Sequence, residues 1–438
     1  MVDDRSQNSV MRSSAETRKR VEASLRGRYR RESWFKTFGL MAVLVSVSFV
    51  VFFFVSIVSQ GYTAFTQTYI QVDVYFDPDV ITPDGSRAPE VLSKANYLRL
   101  VKDSLAAMFP EVSGRKNKRL LNRLVSTGAT FELRDRVMAE PDVIGSKASW
   151  WFLADDEIDT WFKQYERGED AESSGRLADA QLDWLQQLVS QGRLEQRFNT
   201  VFFTSGDSRD AEMAGIWAAA KGSFFMLLVC MSIAFPLGVA ASIYLEEFAP
   251  RNRWVDLIEV NINNLAAVPS IVFGLLGLAV FINFLSLPRS APLVGGLVLA
   301  LMTLPTIIIA SRGAITAVPP SIREAALGLG ASPVQAVVHH VLPLAMPGML
   351  TGAILGIARA LGETAPLLMI GMVAFIVEAP QTPLDPSSAL PVQIYLWADS
   401  PERAFAERTA AAIMVLLAFL LVMNASAVWL RSKYERRW

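Results

Sequence analysis

Residues that commonly carry catalytic chemistry are scarce in this chain of 438 residues, which has one cysteine and two histidines. A disulfide needs two cysteines, so Cys230 excludes one within a single chain, and we interpret it as a small buried apolar residue. His339 and His340 are adjacent and point about 100° apart on a helix, so they do not form the i, i+4 pair that holds a metal. The phosphate-binding pattern GxxxxGK[ST] is absent as well. We therefore predict no catalytic residue, no metal site and no cofactor, and ATP hydrolysis would need another chain.

Charge is also sparse, because charged residues make up 19% of the chain and hydrophobic residues 52%. The net charge of −1 is less informative than the uneven distribution of the charges along the sequence. A helix needs about 20 apolar residues to cross the roughly 30 Å of hydrocarbon in a bilayer. Six windows meet that requirement, and only the fifth contains full charges: 37–59, 222–245, 260–288, 290–311, 349–377 and 409–430. They predict an all-α membrane protein with six transmembrane helices.

Lysine and arginine residues flank the predicted spans and set their orientation. RKRVEASLRGRYRR precedes the first span and RSKYERRW ends the chain, so the positive-inside rule places both termini in the cytoplasm. The first apolar run is longer than the apolar part of a cleavable signal peptide, about 7 to 15 residues, and we interpret it as an uncleaved anchor. The predicted domains are a basic N-terminal segment 1–36, an anchor 37–59, an extracytoplasmic domain 60–221, a transmembrane core 222–430 with a cytoplasmic coupling loop 312–347, and a cytoplasmic tail 431–438.

The predicted extracytoplasmic domain has the charge density of a water-soluble fold and a mixed α+β pattern. TYIQVDVYF alternates as a strand, whereas NYLRLVKDSLAAMF and RLADAQLDWLQQLVSQ have the spacing of amphipathic helices. NTVFFTS is expected to return as a strand before the second span. Trp150 and Trp151 precede ADDEIDTWF and fit a core strand followed by a capped helix better than a ligand cage.

The fifth window, TGAILGIARALGETAPLLMIGM, carries an arginine and a glutamate inside an apolar run. Gly352, Gly356 and Ala360 form a small-residue stripe that lets another helix approach closely. Arg359 and Glu363 are one helical turn apart near the middle of the predicted span, where an ionised group persists only if it is paired, hydrated or lining a path. The guanidinium offers a planar fork of donors to an oxyanion, and the glutamate can orient it or accept a proton. The alternative is a self-neutralised pair that only fixes helix packing.

The segment EAALGLGASPVQAVVHHVLP, residues 324–343, lies between two apolar windows and predicts two short helices outside the membrane. Ser321 is expected to cap the first helix with Glu324 as its third residue, and Gly330 is a natural helix C-terminus. Ser332, followed by proline and two residues later by glutamine, repeats the start signal. The Leu-Pro pair 342–343 is expected to close the second helix. The alternative is a capped connecting hairpin with no docking role.

The spacing of this segment, EAA followed by glycine and then Leu-Pro, resembles the loop by which bacterial ABC-importer permeases bind their ATPase subunit. ARALGETAPLL and NLAAVPSIVFGLLGL are similar to the phosphate-specific permeases of that class, and the resemblance covers residues 222–438. Residues 60–221 resemble the large insertion of the extended form of these permeases. The resemblance implies a MetI-like core of five helices in addition to the N-terminal anchor.

The resemblance also implies partners and residue roles. One implied site is an ATPase-coupling surface, formed by Glu324, Ala325, Ala326, Gly330, Leu342 and Pro343. The other is a substrate pathway, formed by Arg359, Glu363 and Thr364. The implied partners are an ABC ATPase dimer, a homologous second permease, an extracytoplasmic phosphate-binding protein and membrane lipid, without nucleic acid.

These features predict the permease subunit of an ATP-driven importer of inorganic phosphate in the cell inner membrane. Two alternatives remain open. One is an ABC permease for another oxyanion, such as sulfate or molybdate, which an arginine in the path would also suit. The other is a membrane sensor that does not transport, whose outer domain would bind a ligand without needing an ATPase.

Overall fold

The N-terminal part of the molecule is one long helix. The computed structural model describes residues 3–168 and 177–434 and divides the chain into two compact units, residues 1–59 and 60–438. Helix α1 covers Asp3–Gly61 and is apolar enough to cross a membrane over the predicted anchor 37–59. Of the predicted tail 431–438, residues 435–438 lie outside the described part.

The second unit opens with an antiparallel sheet of three strands, in the order β2-β1-β3. The strands are β1 (Thr66–Tyr75), β2 (Lys147–Leu153) and β3 (Leu194–Phe198). We call residues 66–216 the α+β region. The predicted strand TYIQVDVYF is confirmed as β1. Trp150 and Trp151 lie half-buried in β2, as predicted for a strand, and Trp150 is opposite Val72 of β1.

Helices cover one face of the central strand. Because side chains alternate along a strand, Ile70, Val72, Val74 and Phe76 share a face, and each is at most 1% exposed. The two predicted amphipathic helices are confirmed as α4 and α8, and the capped helix as α7, where Asp155 accepts a hydrogen bond from the backbone N–H of Glu157. The helices of this region are α2 (Pro78–Ile81), α3 (Pro89–Lys94), α4 (Tyr97–Met108), α5 (Arg115–Leu121), α6 (Ala129–Ala139), α7 (Asp156–Glu166), α8 (Asp179–Ser190) and α9 (Thr200–Thr204).

The strand predicted at NTVFFTS is wrong, because these residues form α9. The side chain of Asn199 accepts a hydrogen bond from the backbone N–H of Phe202 at 2.9 Å and thereby caps a helix. Phe202 is fully buried. The returning strand, β3, ends one residue earlier at Phe198. Local capping therefore outweighed the β-propensity of the valine and phenylalanines.

Helices of 4 to 31 residues dominate the rest of the described chain. They are α10 (Trp217–Ile243), α11 (Arg253–Ala266), α12 (Ser270–Leu276), α13 (Pro292–Thr316), α14 (Pro320–Gly328), α15 (Pro333–Ala336), α16 (Leu342–Gly362), α17 (Ala365–Met369), α18 (Leu390–Ala398) and α19 (Ala404–Tyr434). Three segments are π-helical: Tyr244–Phe248, Gly277–Phe284 and Val337–Val341.

The third predicted span, 260–288, is not one continuous helix. α11 ends at Ala266 and a new helix begins at Ser270, with a bend of 103° between the two. Pro269 has no backbone N–H and disfavours the helical conformation of the preceding residue, which accounts for the break. The described residues contain five helices that are long and apolar enough to cross a membrane, or six if the bent pair is one span.

Small residues bring α13 and α16 together. A Cβ added at Gly352 would lie 2.6 Å from the Cβ of Ala310, and one added at Gly356 would meet Ile307 at 3.6 Å. Ala360 is fully buried. The predicted small-residue stripe is therefore the face of α16 that packs on α13, and a larger residue at Gly352 would push the two helices apart.

Candidate functional site

The predicted coupling loop, residues 312–347, begins its first short helix at a proline, and we keep the name coupling loop for this segment. α14 covers Pro320–Gly328, and Pro319 occupies the N-cap position without a side-chain hydrogen bond. The prediction that Ser321 caps this helix is wrong, because Ser321 lies inside the first turn. Proline at the first helical position has the required φ already and lacks the N–H that a cap would satisfy.

The turn between the two helices of the coupling loop follows the sequence prediction. Gly330 has φ +90°, a left-handed conformation that suits glycine, and it directly follows the C-cap residue Leu329. Ser332 accepts a hydrogen bond from the backbone N–H of Gln335 at 3.3 Å, and the Gln335 side chain accepts one from the backbone N–H of Ser332 at 2.9 Å. This reciprocal capping box fixes where the second helix starts.

The second helix does not close at Leu342 and Pro343, so that part of the prediction is wrong. α15, the π-helical segment Val337–Val341 and α16 form one helix of 30 residues, Pro333–Gly362. A proline inside a helix removes one backbone donor and crowds the preceding turn. The wider π-turn just before Pro343 makes room for the ring, so the helix continues.

The coupling loop presents a mixed polar and apolar surface. Glu324 and Ala325 are exposed, whereas Ala326 is buried against the rest of the chain. Leu329, at the turn, is 91% exposed. Other exposed apolar side chains lie on both helices of the loop: Leu327, Val334 and Val338. Exposed apolar residues gathered on one loop are typical of a surface that a partner covers.

An ion pair ties the coupling loop to the end of α10. Arg323 contacts the carboxylate of Glu247 through Nε at 3.0 Å and Nη2 at 2.6 Å, and the same guanidinium donates to the backbone carbonyls of Val318 and Ile315. Arg323 and Glu247 are only 23% and 10% exposed. A two-point contact of this kind restrains both distance and orientation, so α14 is held firmly against the π-helical segment Tyr244–Phe248.

A second arginine lies beside the first and joins two further elements. Arg312, near the end of α13, contacts Glu246 at 2.5 Å and Glu259 of α11 at 2.8 Å. The adjacent glutamates 246 and 247 therefore bind different arginines. This charge cluster was not predicted from the sequence, because its paired residues are 53 to 76 positions apart. The Glu-Glu pair at the end of an apolar window was the available signal.

Arg359 and Glu363 lie at a helix end and not in the middle of a continuous span 349–377, which corrects the prediction. α16 ends at Gly362, and Glu363 is already extended, with φ −80° and ψ 125°. A new helix, α17, begins two residues later at Ala365, with Pro366 in its first turn, where a proline is well tolerated. Thr364 is the N-cap of α17, and its carbonyl accepts hydrogen bonds from the backbone N–H groups of Leu367 and Leu368.

The contact between Arg359 and Glu363 is loose. Arg359 Nε is 3.8 Å from Glu363 Oε1, which is beyond hydrogen-bond distance, and the two side chains are 39% and 21% exposed. Within the described residues the guanidinium has no hydrogen-bond partner. The donors of Arg359 are therefore open to a ligand, while Glu363 remains within ion-pair distance of the guanidinium.

A buried charged network joins the α+β region to α19. Lys163 of α7 contacts Asp159 at 2.6 Å and Glu407 of α19 at 3.4 Å. Asp159 in turn accepts hydrogen bonds from the backbone N–H and the hydroxyl of Thr68 in β1. Lys163 is only 4% exposed. Since burial strengthens charge interactions, this contact fixes the first sheet strand relative to the last long helix.

Arg408, the next residue of α19, is also buried and extends this network. It donates to the backbone carbonyls of Ala214 and Glu212 at 3.4 and 3.3 Å. The Glu212 carboxyl accepts a hydrogen bond from the Ser126 hydroxyl at 2.6 Å. Burial raises the pKa of Glu212 to about 7, and burial together with neighbouring acidic groups raises the pKa of Asp155 to about 8. Sequence analysis did not identify this network.

The packed apolar helices, the exposed coupling loop and the arginine among the apolar spans define a helical membrane transport subunit. Residues 234–437 match the family described as binding-protein-dependent transport system inner membrane component, and residues 22–172 match a domain of unknown function (DUF3333). The chain belongs to that transport family and is a permease subunit of an ABC importer in the inner membrane. The resemblance predicted from the sequence is thereby confirmed.

Curated relatives match about half of this chain. The probable ABC transporter permease protein YqgI of Bacillus subtilis is 33% identical over 244 residues, 52% of this chain and 82% of the relative. The phosphate transport system permease protein PstA 1 of Mycobacterium tuberculosis is 32% identical over 223 residues, 51% of this chain and 72% of the relative. A chain of the MetNI methionine ABC transporter, in inward-facing conformations, is 16% identical with a TM-score of 0.41, and the match covers 50% of this chain and 98% of that chain.

Proposed function

We propose that this chain is the permease of an ATP-driven importer of inorganic phosphate and forms part of the translocation path. Relatives from Mycobacterium tuberculosis and Haemophilus influenzae, at 32% and 30% identity, are named phosphate transport system permease protein. The chain spans 72% and 77% of their lengths. This similarity supports phosphate over sulfate or molybdate, which an arginine alone does not distinguish.

The observation that carries the proposal is the open guanidinium of Arg359. Arg359 lies where α16 ends, and its side chain is 39% exposed. Its contact with Glu363, at 3.8 Å, is too long for a hydrogen bond and leaves the guanidinium donors unused. A planar fork of donors binds two oxygens of a phosphate at once, and removal from bulk water strengthens that contact. The Glu363 carboxylate is placed to accept a hydrogen bond from a hydroxyl of monovalent phosphate, and Thr364 follows it in the same break between helices. These three residues form the proposed substrate pathway.

Coupling to ATP hydrolysis is proposed at the coupling loop. Glu324, Ala325 and the exposed apolar side chains around Gly330 would bind an ABC ATPase subunit, and Ala326 would hold α14 against the permease. Leu342 and Pro343 lie in the helix that continues towards Arg359. The ion pair of Arg323 with Glu247 supports this arrangement, because it connects the docking surface directly to another long helix. Closure of an ATPase dimer would then move the coupling loop and switch the access of the path from one side to the other.

The remaining subunits follow from the same proposal. A homologous second permease would complete the path around Arg359, because transporters built from two related halves hold their substrate at the interface between the halves. An extracytoplasmic phosphate-binding protein would deliver the substrate. This chain would supply the translocation path and the docking surface, and the ATPase dimer would hydrolyse ATP.

We propose six spans with both termini in the cytoplasm, counting α11 and the following helix as one. The anchor 37–59 then places the α+β region outside, and the coupling loop inside. Single cysteines at Ser113 and Ser432, both exposed, test this topology in a Cys230→Ser background. A membrane-impermeant thiol reagent applied to cells with an intact inner membrane should label position 113 and not 432. Labelling at 432 would overturn the six-span arrangement.

Reconstituted transport tests the function itself. The permease would be copurified with its ATPase and second permease, placed in proteoliposomes, and supplied with ATP and the binding protein. Uptake of labelled phosphate should require ATP and should resist competition by excess sulfate or molybdate. Competition by either anion at equal concentration would identify a permease for another oxyanion. Failure to copurify any ATPase, with the protein folded, would favour a sensor that does not transport.

A further inference from the structure

A concave surface of the α+β region carries positive charge alone. It has a volume of about 870 Å³ and is formed by the outer face of α4, the turn at Gly114, α5 and the residues just after it. Among the described residues no carboxylate lines it. We call it the basic basin, and its five cationic side chains are Lys102, Arg115, Lys118, Arg119 and Arg123.

The arginines of the basic basin differ from other arginines of the same region. Outside the basin, six arginines each lie within 3.4 Å of a carboxylate oxygen: Arg87, Arg99, Arg134, Arg136, Arg193 and Arg197. In the described part of the chain, the three basin arginines have no ion pair and no side-chain hydrogen bond. Unpaired like charges repel one another and attract anions, so this surface is arranged to meet negative charge supplied from outside the chain.

The cations are held on fixed elements and have a defined spacing. Leu121 and Leu124, on the same short segment, are 2% and 0% exposed in the core of the α+β region and anchor it. Arg115 and Arg119 are four residues apart and share a face of α5, and Arg123 follows in the next turn. At 1.5 Å per residue Arg115 and Arg119 are about 6 Å apart along α5, and Arg123 follows beyond the helix end at Leu121, so the full row of three arginines is longer. A single phosphate ion does not reach across that distance.

We propose that the basic basin binds a chain of linked phosphate groups, of which inorganic polyphosphate is the simplest. Guanidinium groups match phosphate oxygens with two parallel hydrogen bonds, and a linear anion can contact successive arginines. No aromatic side chain lines the basin, so it lacks the stacking platform of single-stranded nucleic-acid sites. Its lining residues are lysine, arginine, asparagine and glycine, so no apolar side chain is offered to an acyl chain. The site is separate from Arg359 and does not require phosphate to be the transported ion.

Binding of labelled polyphosphate tests the proposal. The purified full-length protein would be placed in nanodiscs of neutral lipid, and fluorescence anisotropy would be measured at several salt concentrations. The variant Arg115→Gln/Arg119→Gln/Arg123→Gln should raise the Kd at least about tenfold near 0.1 M salt and reduce the slope of log Kd against log salt by about 2 to 3. Lys102→Gln, on α4, should weaken binding about twofold to threefold, because it removes one contact from the opposite wall.

A matched control removes the same amount of charge from paired positions. Arg87→Gln/Arg99→Gln/Arg134→Gln should leave the Kd within about twofold, because those arginines are already engaged by carboxylates. Equal losses in the two triple variants would overturn the site, since they would indicate attraction to overall charge. Displacement by orthophosphate at the same total phosphate concentration would overturn the linked form. Capture by vesicles of anionic phospholipid without polyphosphate binding would replace the proposal with a membrane contact. Thermal unfolding of each variant would establish that it is folded.

Discussion

Removing both charges of the Arg359 and Glu363 pair should leave the protein stable and abolish transport. The contact distance is 3.8 Å, and both side chains are partly exposed, so the pair resembles surface ion pairs, which contribute about 0 to 1 kcal/mol. A buried, hydrogen-bonded pair would instead cost about 3 to 5 kcal/mol when one partner is removed. We therefore expect Arg359→Gln, Glu363→Gln and the double variant to unfold within a few degrees of the wild type.

Transport should respond very differently from stability. If Arg359 donates two charge-assisted hydrogen bonds to the anion, each contributes about 1.5 to 3 kcal/mol, and their loss lowers the uptake rate at least about a hundredfold. Restoring electrical neutrality by adding Glu363→Gln should not recover uptake. Arg359→Lys should also transport poorly, because an ammonium keeps the charge and loses the planar fork.

The assay is labelled phosphate uptake in proteoliposomes, with ATPase copurification measured for each variant. Arg289→Gln is the matched control, because Arg289 is an exposed arginine in the turn before α13 and its loss changes the charge equally. Its uptake should remain near normal. Near-normal uptake by the double variant at Arg359 and Glu363 would refute the reasoning and leave only a packing role for the pair.

Three further predictions concern the coupling loop and the buried network. Arg323→Glu or Glu247→Arg alone should lower phosphate-stimulated ATPase activity, and the double exchange should recover it in part; no recovery would mean that the pair does not act as a unit. Gly330→Ala, at φ +90°, should cost about 1 kcal/mol and reduce ATPase copurification, whereas Gly328→Ala should not; equal behaviour would contradict a role for the turn. Burial raises the pKa of Glu212 from 4.5 to about 7, so folding favours the protonated carboxyl. The stability that the protonated Glu212 contributes to the folded state is complete below pH 4.5 and is lost as the pH rises towards 7. Glu212→Gln should therefore stabilise the protein by about 3 kcal/mol above pH 7 and show no gain near pH 4.5, measured by thermal unfolding across pH.

Signals that depend on neighbouring residues predicted the structure well. Gly330 has the left-handed conformation expected at a helix end, Ser332 forms its capping box, and Asp155 caps α7. Each of these features is determined by contacts within four residues. The alternation of β1 was equally readable, because a strand with one buried face repeats every two residues.

A proline within an apolar run accounts for the error in the third predicted span. A hydropathy window does not register that Pro269 lacks a backbone N–H and disfavours a helix at the residue before it. The bend of 103° lies at this proline, whereas the end of α16 at Gly362 has no such local signal. At Pro343 the opposite happened, since a π-turn absorbed the ring and the helix continued.

Charge clusters formed by segments far apart in the chain could not be predicted from sequence patterns. Arg312 binds glutamates 53 and 66 residues away, and Lys163 binds Glu407 across 244 residues. Nothing in the local sequence specifies such partners. Their existence depends on how α10, α11, α13 and α19 pack, which periodicity does not determine.

The unbroken helix Pro333–Gly362 has a mechanical consequence. It begins at the turn of the coupling loop and has Arg359 in its last turn. At 1.5 Å per residue, about 39 Å separate Pro333 from Arg359 along this rod. A tilt of about 10° around one end would displace the other end by about 7 Å, slightly more than the roughly 5.4 Å pitch of one helical turn. The helix can therefore work as a lever: under the proposed function, a modest rotation at the turn would carry the Arg359 guanidinium beyond hydrogen-bond distance of a bound anion.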